Sequence, residues 1–352
     1  MQYQPPIGCY TIGPPPAALF NRRLHNLIPG PSSTELAIFI GYRRAGWRGL
    51  ILGGLCFILP AALIVTSLAW VYLQYGKLPE VEGLLYGIKP IIIAVVFQAL
   101  WNLGRTAVKT KLLGLVGLVA IGLSYGGLNP VTILFGVGSL MLVIQVIARR
   151  KGTVVSFAPI IGMAIPSNVA VAGGVVPFSL WKLFFFFLKI GSVLFGSGYV
   201  LLAFLQSDLV GHWHWLTENQ LLDAVAVGQF TPGPVFTTAT FIGYILGGPV
   251  AALVATVGIF LPSFILVAIG SKVVPGLRKS PTTSAFLDGV NVASLALMAV
   301  VSWQLGTAAI VGWPTGLLAV TAALLLIRYR VNSAWLVGGG AAVGLLFKHY
   351  GL

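Results

Sequence analysis

The chain is predicted to be an all-α polytopic integral membrane protein, built from two homologous inverted-topology repeats with helices broken at Pro-Gly-Pro motifs. Three observations predict it. First, 57% of the 352 residues are hydrophobic and only 8% are charged, against roughly 25% charged in soluble domains. Second, a Pro-Gly-Pro corner followed by hydroxyl residues occurs twice, in IPGPSSTELAIFIGY (28–42) and FTPGPVFTTATFIGY (230–244). Third, the loops rich in Lys and Arg change sides between the two halves.

The apolar runs settle helix against strand. Stretches such as GLILGGLCFILPAALIVTSLAW (49–70) do not alternate, whereas barrel strands show segments of about 10 residues with period two. Runs of about 20 apolar residues are membrane helices. Expected spans are 48–75, 83–103, 112–127 and 131–148 in the first half. In the second they are 179–206, 249–271, 285–306, 308–327 and 333–348. The domain boundaries follow as 1–23 (an atypical N-terminal segment), 24–148 (first repeat), 149–178 (a linker along the membrane) and 179–352 (second repeat).

The duplication is read from register. A constant shift of 202 pairs Tyr42 with Tyr244, Gly46 with Gly248, Leu59-Pro60 with Leu261-Pro262, Gly87 with Gly289 and Trp101 with Trp303. The corners themselves, Pro29-Gly30-Pro31 and Pro232-Gly233-Pro234, pair at a shift of 203. Composition produces chance Leu or Gly matches, but not paired Trp and Pro at fixed spacing.

Inversion is read from charge. Arg43, Arg44 and Arg48 follow the first corner, while the equivalent LGGPV is uncharged. Lys77, Glu80 and Glu82 face Lys272, Arg278 and Lys279. Arg105, Lys109 and Lys111 face the uncharged GTAAIVGW, and the uncharged YGGLNP faces Arg328 and Arg330. Positive loops lie inside, so equivalent loops sit on opposite faces, as in secondary transporters. The net charge of +14 is thereby an orientation signal, with no aromatic-basic repeat to suggest nucleic acid. With both flanking loops placed outside, 219–246 enters and leaves on one face, a re-entrant hairpin broken at Pro232-Gly233-Pro234.

Such breaks carry chemistry. A helix that starts just after Pro-Gly-Pro presents free N–H groups and the positive end of its dipole to an anion. Ser32, Ser33 and Thr34 follow the first break, and Thr237, Thr238 and Thr240 follow the second. They line an anion site or simply cap the helix. Arg43 and Arg44 guide an anion or mark topology. Lys89 and Lys189 lie within spans, where ionisable groups are functional suspects, Lys189 having snorkelling as its alternative. Glu35, Glu218, Asp223 and Asp288 are the acids in or near spans, and the titrating groups open to coupling or gating. His212 and His214, among tryptophans, fit the interfacial belt better than a metal site, and Cys9 and Cys56 lie in unlike contexts. No metal or other cofactor is expected. Without a nucleophile–base pairing, an HExxH or a phosphate loop, an enzyme is not expected either.

Phe195-Gly196-Ser197-Gly198-Tyr199, Trp215-Leu216-Thr217-Glu218, Gln229, Pro232-Gly233-Pro234, Gly243-Tyr244 and Leu261-Pro262 resemble the chromate ion transporter family, and 26–65 resembles its amino-terminal repeat. The likeness covers about 24–350. It implies a long-chain, two-repeat member that exports chromate across the bacterial inner membrane and confers resistance, and it adds Gly196, Ser197, Gly198 and Gln229 to the expected anion site. Sulfate, a tetrahedral dianion of the same shape, is the alternative substrate, and a homodimer is the assembly considered. In the family the first repeat opens with a long helix equivalent here to 179–218. Residues 1–23 match no such element, so a first repeat lacking that helix, and an inactive truncated member, are also expectations.

Overall fold

The structure is a computed structural model that describes residues 32–76, 78–149, 177–194, 198–277, 281–329 and 331–349. The first corner at 29–31, most of the linker, and Gly196 and Ser197 lie outside the described residues. Eleven α-helices follow one another among the described residues: α1 (Ser32–Tyr75), α2 (Pro79–Ala107), α3 (Lys111–Tyr125), α4 (Pro130–Arg149), α5 (Leu180–Val193), α6 (Leu201–Phe204), α7 (Glu218–Phe230), α8 (Thr238–Leu277), α9 (Pro281–Ala309), α10 (Trp313–Arg328) and α11 (Ser333–His349). Five helical stretches are long and apolar enough to cross a membrane. Exposed Trp47, Leu63, Leu118, Ile147, Leu253, Val311 and Trp335 spread apolar surface over the outside of the bundle, as a lipid-facing surface requires and a water-facing one does not tolerate. The protein is an all-α, multi-pass membrane protein.

α1 has 44 residues. At about 1.5 Å per residue it would reach more than twice the ~30 Å hydrocarbon core. It does not, because it is interrupted at Ala45 (φ −138°, ψ 24°) and Gly46 (φ 57°, ψ −139°). α8 is interrupted in the same way at Gly247 (φ −156°, ψ 24°) and Gly248 (φ 71°, ψ −159°). The positive φ at the second position of each pair is one that a Cβ opposes, and glycine occupies both. These interruptions are hairpin turns. Gly41 backs onto the Gly49 carbonyl and Gly53 onto that of Ala37; Gly243 backs onto the Ala251 carbonyl. Thr240 and Thr256 share a hydrogen bond of 2.7 Å across the second hairpin. Each long helix is thus two antiparallel arms. The sequence-based span 48–75 covers only the second arm of α1, and the structure adds the first, 32–44.

α9 is the most buried of the membrane-length helices, and it packs against α2, its equivalent in the other half. Gly104 lies against Leu295, and Ile93 against Gly306. Each of these contacts is the other's copy at a shift of 202, and together they make α2 and α9 run in opposite directions. The next layer repeats the pattern: Gly87 meets Gly340 and Gly344 on α11, while Gly289 meets Gly138 on α4. Lipid tails are as apolar as leucine, so helices in a bilayer associate through close packing of small residues. Gly87, Gly138, Gly289, Gly340 and Gly344 serve that purpose.

Two expectations are corrected. The run 179–206 is not a single span: α5 stops at Val193, a 3₁₀ turn follows at Gly198–Val200, and Leu205–His212 winds as a π-helix. The expected 308–327 span also starts later, at Trp313.

Candidate functional site

At the second Pro-Gly-Pro corner Pro232 and Gly233 are exposed, while Pro234 and the flanking Thr231, Thr237 and Thr238 are buried. α7 begins with a capping box in which the Gln220 N–H donates to Thr217 Oγ1 (3.2 Å) and the Thr217 N–H donates to Gln220 Oε1 (2.9 Å). It ends at Phe230 because two prolines lie just beyond, each lacking an N–H and clashing with a preceding helical turn. Gly233 has φ 155° and presses on Ala61 of α1, so a side chain there would collide. A single 3₁₀ turn, Val235–Thr237, then leads into the first arm of α8.

Tyr72 of α1 shows what the chain does at this corner. Its hydroxyl donates to Asp223 Oδ2 at 2.9 Å, and its ring lies 5.4 Å from that of Phe241. Asp223 and Phe241 stand equally far before and after Pro232. Both are within reach of one side chain, so the chain doubles back at the corner. Gly228 facing Thr238 says the same nearer the apex. α7 has 13 residues, about 20 Å at ~1.5 Å per residue, short of a ~30 Å core.

The polar groups near the corner have definite partners. Thr237 Oγ1 donates to the Pro234 carbonyl (2.9 Å) and Thr238 Oγ1 to that of Val235 (2.8 Å). Thr231 Oγ1 donates to the Val227 carbonyl (2.7 Å). Thr237 and Thr238 are buried, with their protons held locally and oxygen lone pairs left over. Gly198 lies against Val235 and Phe236, so the described end of the Gly-Ser-Gly motif touches the turn that follows the corner. Gln229 is half-buried in the last turn of α7.

Two ion pairs flank the corner. Lys89 of α2 lies 3.1 Å from Asp223 Oδ1, off the line of a hydrogen bond, and donates to Asn219 Oδ1 at 3.3 Å. With Tyr72 this network joins α1, α2 and α7. Lys189 of α5 lies 2.7 Å from Asp208 Oδ2 in the π-helix, so it is paired. Extended π-helix is uncommon and recurs at functional sites. Glu218 Oε1 accepts from Gln206 Nε2 at 3.3 Å on the exposed side.

In the first half, Thr34 and Glu35 are buried, and Thr34 Oγ1 and Glu35 Oε1 have no hydrogen-bond partner among the described residues. Ser32 opens α1 and Ser33 is exposed. Arg43, Arg44 and Arg48 are exposed around the hairpin tip at Ala45-Gly46. Asp288 is paired with Lys109 at 2.7 Å. His212 Nδ1 lies 2.7 Å from the Ser207 carbonyl oxygen. Sequence reasoning missed Tyr72, Asp208 and Asn219, none of which carries a local motif.

The largely buried Lys89–Asp223 pair, a helix pair doubled back at a proline corner and a lipid-facing exterior define a multi-pass membrane protein of the transporter class. The family model described as chromate transporter matches residues 23–143 and 181–345. The chain belongs to the chromate transporter family. It is 34% identical over 332 residues to the chromate transport protein of Cupriavidus metallidurans, covering 92% of this chain and 81% of that one. It is 32% identical to the probable chromate transport protein of Synechococcus elongatus, covering 90% and 79%. It is 29% identical to the chromate transport protein of Pseudomonas aeruginosa, covering 77% and 67%. No solved structure matches it.

Proposed function

We propose that this protein carries chromate out of the cell across a bacterial inner membrane, as a carrier rather than a catalyst, using two inverted repeats. The observation that carries this reading is the doubling back at Pro232, with Tyr72 touching both Asp223 and Phe241. A re-entrant pair of that kind brings a helix start and the lone pairs and backbone of Val235–Thr238 into the bundle interior, where an anion meets the positive end of a helix dipole. The opposite directions of α2 and α9 and the side-swapping loop charges support the inversion. Pro29, Gly30, Pro31, Ser32, Ser33, Thr34, Gly196, Ser197, Gly198, Gln229, Pro232, Gly233, Pro234, Thr237 and Thr238 are the proposed lining. Glu35, Arg43, Arg44, Lys89, Lys189, Glu218 and Asp223 are the proposed coupling and gating groups.

Energetics favours export. One charge crossing 100 mV is worth about 2.3 kcal/mol, so a dianion leaving an inside-negative cell gains about 4.6 kcal/mol. At about 1.4 kcal/mol per tenfold, that offsets an adverse gradient of roughly 2000-fold. In liposomes loaded with chromate, an inside-negative potential is expected to speed efflux, with external sulfate as the competing dianion. Efflux indifferent to potential but strictly dependent on a proton gradient contradicts potential-driven export.

A further inference from the structure

A well-formed cavity lies away from the corner. It is an apolar groove of about 430 Å³ on the outside of α2, α3 and α9, lined among others by Trp101, Leu118, Val292 and Leu295, with Gly114 and Gly117 leaving the space open. Its lining includes one charged residue, Arg105. Arg105 is exposed and makes no ion pair among the described residues, whereas the nearby Lys109 is neutralised by Asp288 at 2.7 Å. The α2–α3 connection borders the groove, with Val108 beside Gly114. Lys111 stands there as the first residue of α3, and no acidic residue shares that first turn. A cation at a helix N-terminus opposes the dipole, and an anion placed beside it relieves the opposition.

We propose that this groove binds an anionic phospholipid of the bilayer, one acyl chain filling the apolar length and the headgroup phosphate held by Arg105, Lys111 and the start of α3. The chemistry matches end for end: hydrocarbon against Leu118, Val292 and Leu295, and an oxyanion at a guanidinium beside a helix start. Basic pockets between membrane helices are suited to anionic headgroups. The duplication supplies an internal control. At a shift of 202, Trp101 corresponds to Trp303, but Arg105, Lys109 and Lys111 correspond to Thr307, Val311 and Trp313. The equivalent face therefore has the aromatic marker without the cations.

The test uses the full chain in nanodiscs containing brominated phosphatidylglycerol or brominated phosphatidylcholine, with Trp fluorescence quenching as readout. The Trp101 and Trp303 contributions are taken by difference from Trp101→Phe and Trp303→Phe. Trp101 is expected to be quenched at a several-fold lower mole fraction of phosphatidylglycerol than of phosphatidylcholine, and Trp303 equally by both. The double variant Arg105→Gln/Lys111→Gln, altered only at exposed positions, is expected to abolish the preference at Trp101. Equal quenching of Trp101 by both lipids in the unaltered chain overturns the proposal. So does a preference that survives the double variant, or a Trp101 shielded from both lipids because a second copy covers the groove.

Discussion

The two helical hairpins, α1 and α8, share a backbone and differ in chemistry. Their turns repeat the same dihedral pair at Ala45-Gly46 and Gly247-Gly248, and both close by backbone contact, Gly41 on Gly49 and Gly243 on Ala251. The side chains around them diverge. The α1 tip carries exposed Arg43, Arg44 and Arg48, and its first arm buries Glu35. The α8 tip has no charge, and its arms are tied by the Thr240–Thr256 hydrogen bond. The two halves therefore share their packing contacts and differ in their polar side chains, as at Lys89, whose equivalent at a shift of 202 is the uncharged Asn291.

The largest expected effect is at the corner. Replacing Pro232-Gly233-Pro234 with three alanines is expected to abolish chromate flux and resistance while membrane insertion persists, since alanine favours a continuous helix in place of the fold-back. The same change at Pro29-Gly30-Pro31 is expected to do likewise. Near-normal flux in either variant would break the functional equivalence of the halves.

Next comes the ion pair. Removing one partner of a buried pair costs about 3–5 kcal/mol, because the other charge is left buried alone. Lys89→Gln and Asp223→Asn are each expected to lose transport and thermal stability, with the exchange Lys89→Asp/Asp223→Lys recovering part of both. Asn291→Gln in the other half is expected to change little. Equal losses at Lys89 and Asn291 would show that the network is not specific to one half.

Smaller and matched effects are expected at the turns. Gly46→Ala and Gly248→Ala each force a Cβ into positive φ, at a cost of about 1–2 kcal/mol. Thermal unfolding of the two variants should shift alike, and a large inequality would argue against a shared turn. The smallest effect is Thr256→Ala, which removes a hydrogen bond between helical arms worth about 0.6 kcal/mol in a membrane protein. Its counterpart Gly54 already lacks one, so the loss sharpens the contrast without disabling the protein.

The sequence carried the class, the duplicated register and the positions of α2, α3, α4, α9 and α11 to within a few residues. Those are features of hydropathy and repeated spacing, both local. It also pointed to Gly46 and Gly248 as equivalent, although only the dihedrals reveal them as hairpin turns. The glycine-rich Gly196-Ser197-Gly198 stretch marked a break within 179–206, but not that α5 ends already at Val193 or that Leu205–His212 winds as a π-helix, because hydropathy does not register a change of helical winding. The partners of Lys89 and Lys189 were hidden for a different reason. Asp223 lies on another helix far along the chain, and Asp208 sits in a segment that reads as a loop. Which charge meets which is decided by helix packing, which no single stretch of sequence records.

The central claim is that the two halves face opposite ways. It is tested most directly by single cysteines at Trp47 and Pro249, equivalent exposed positions beside the two turns, in a chain with Cys9 and Cys56 replaced by serine. The glycines themselves are avoided because their positive φ would strain a cysteine. With a membrane-impermeant maleimide applied to intact cells and to everted vesicles, Trp47→Cys is expected to label only from the cytoplasmic face and Pro249→Cys only from the opposite one. Labelling of both positions from the same face would contradict the inverted arrangement.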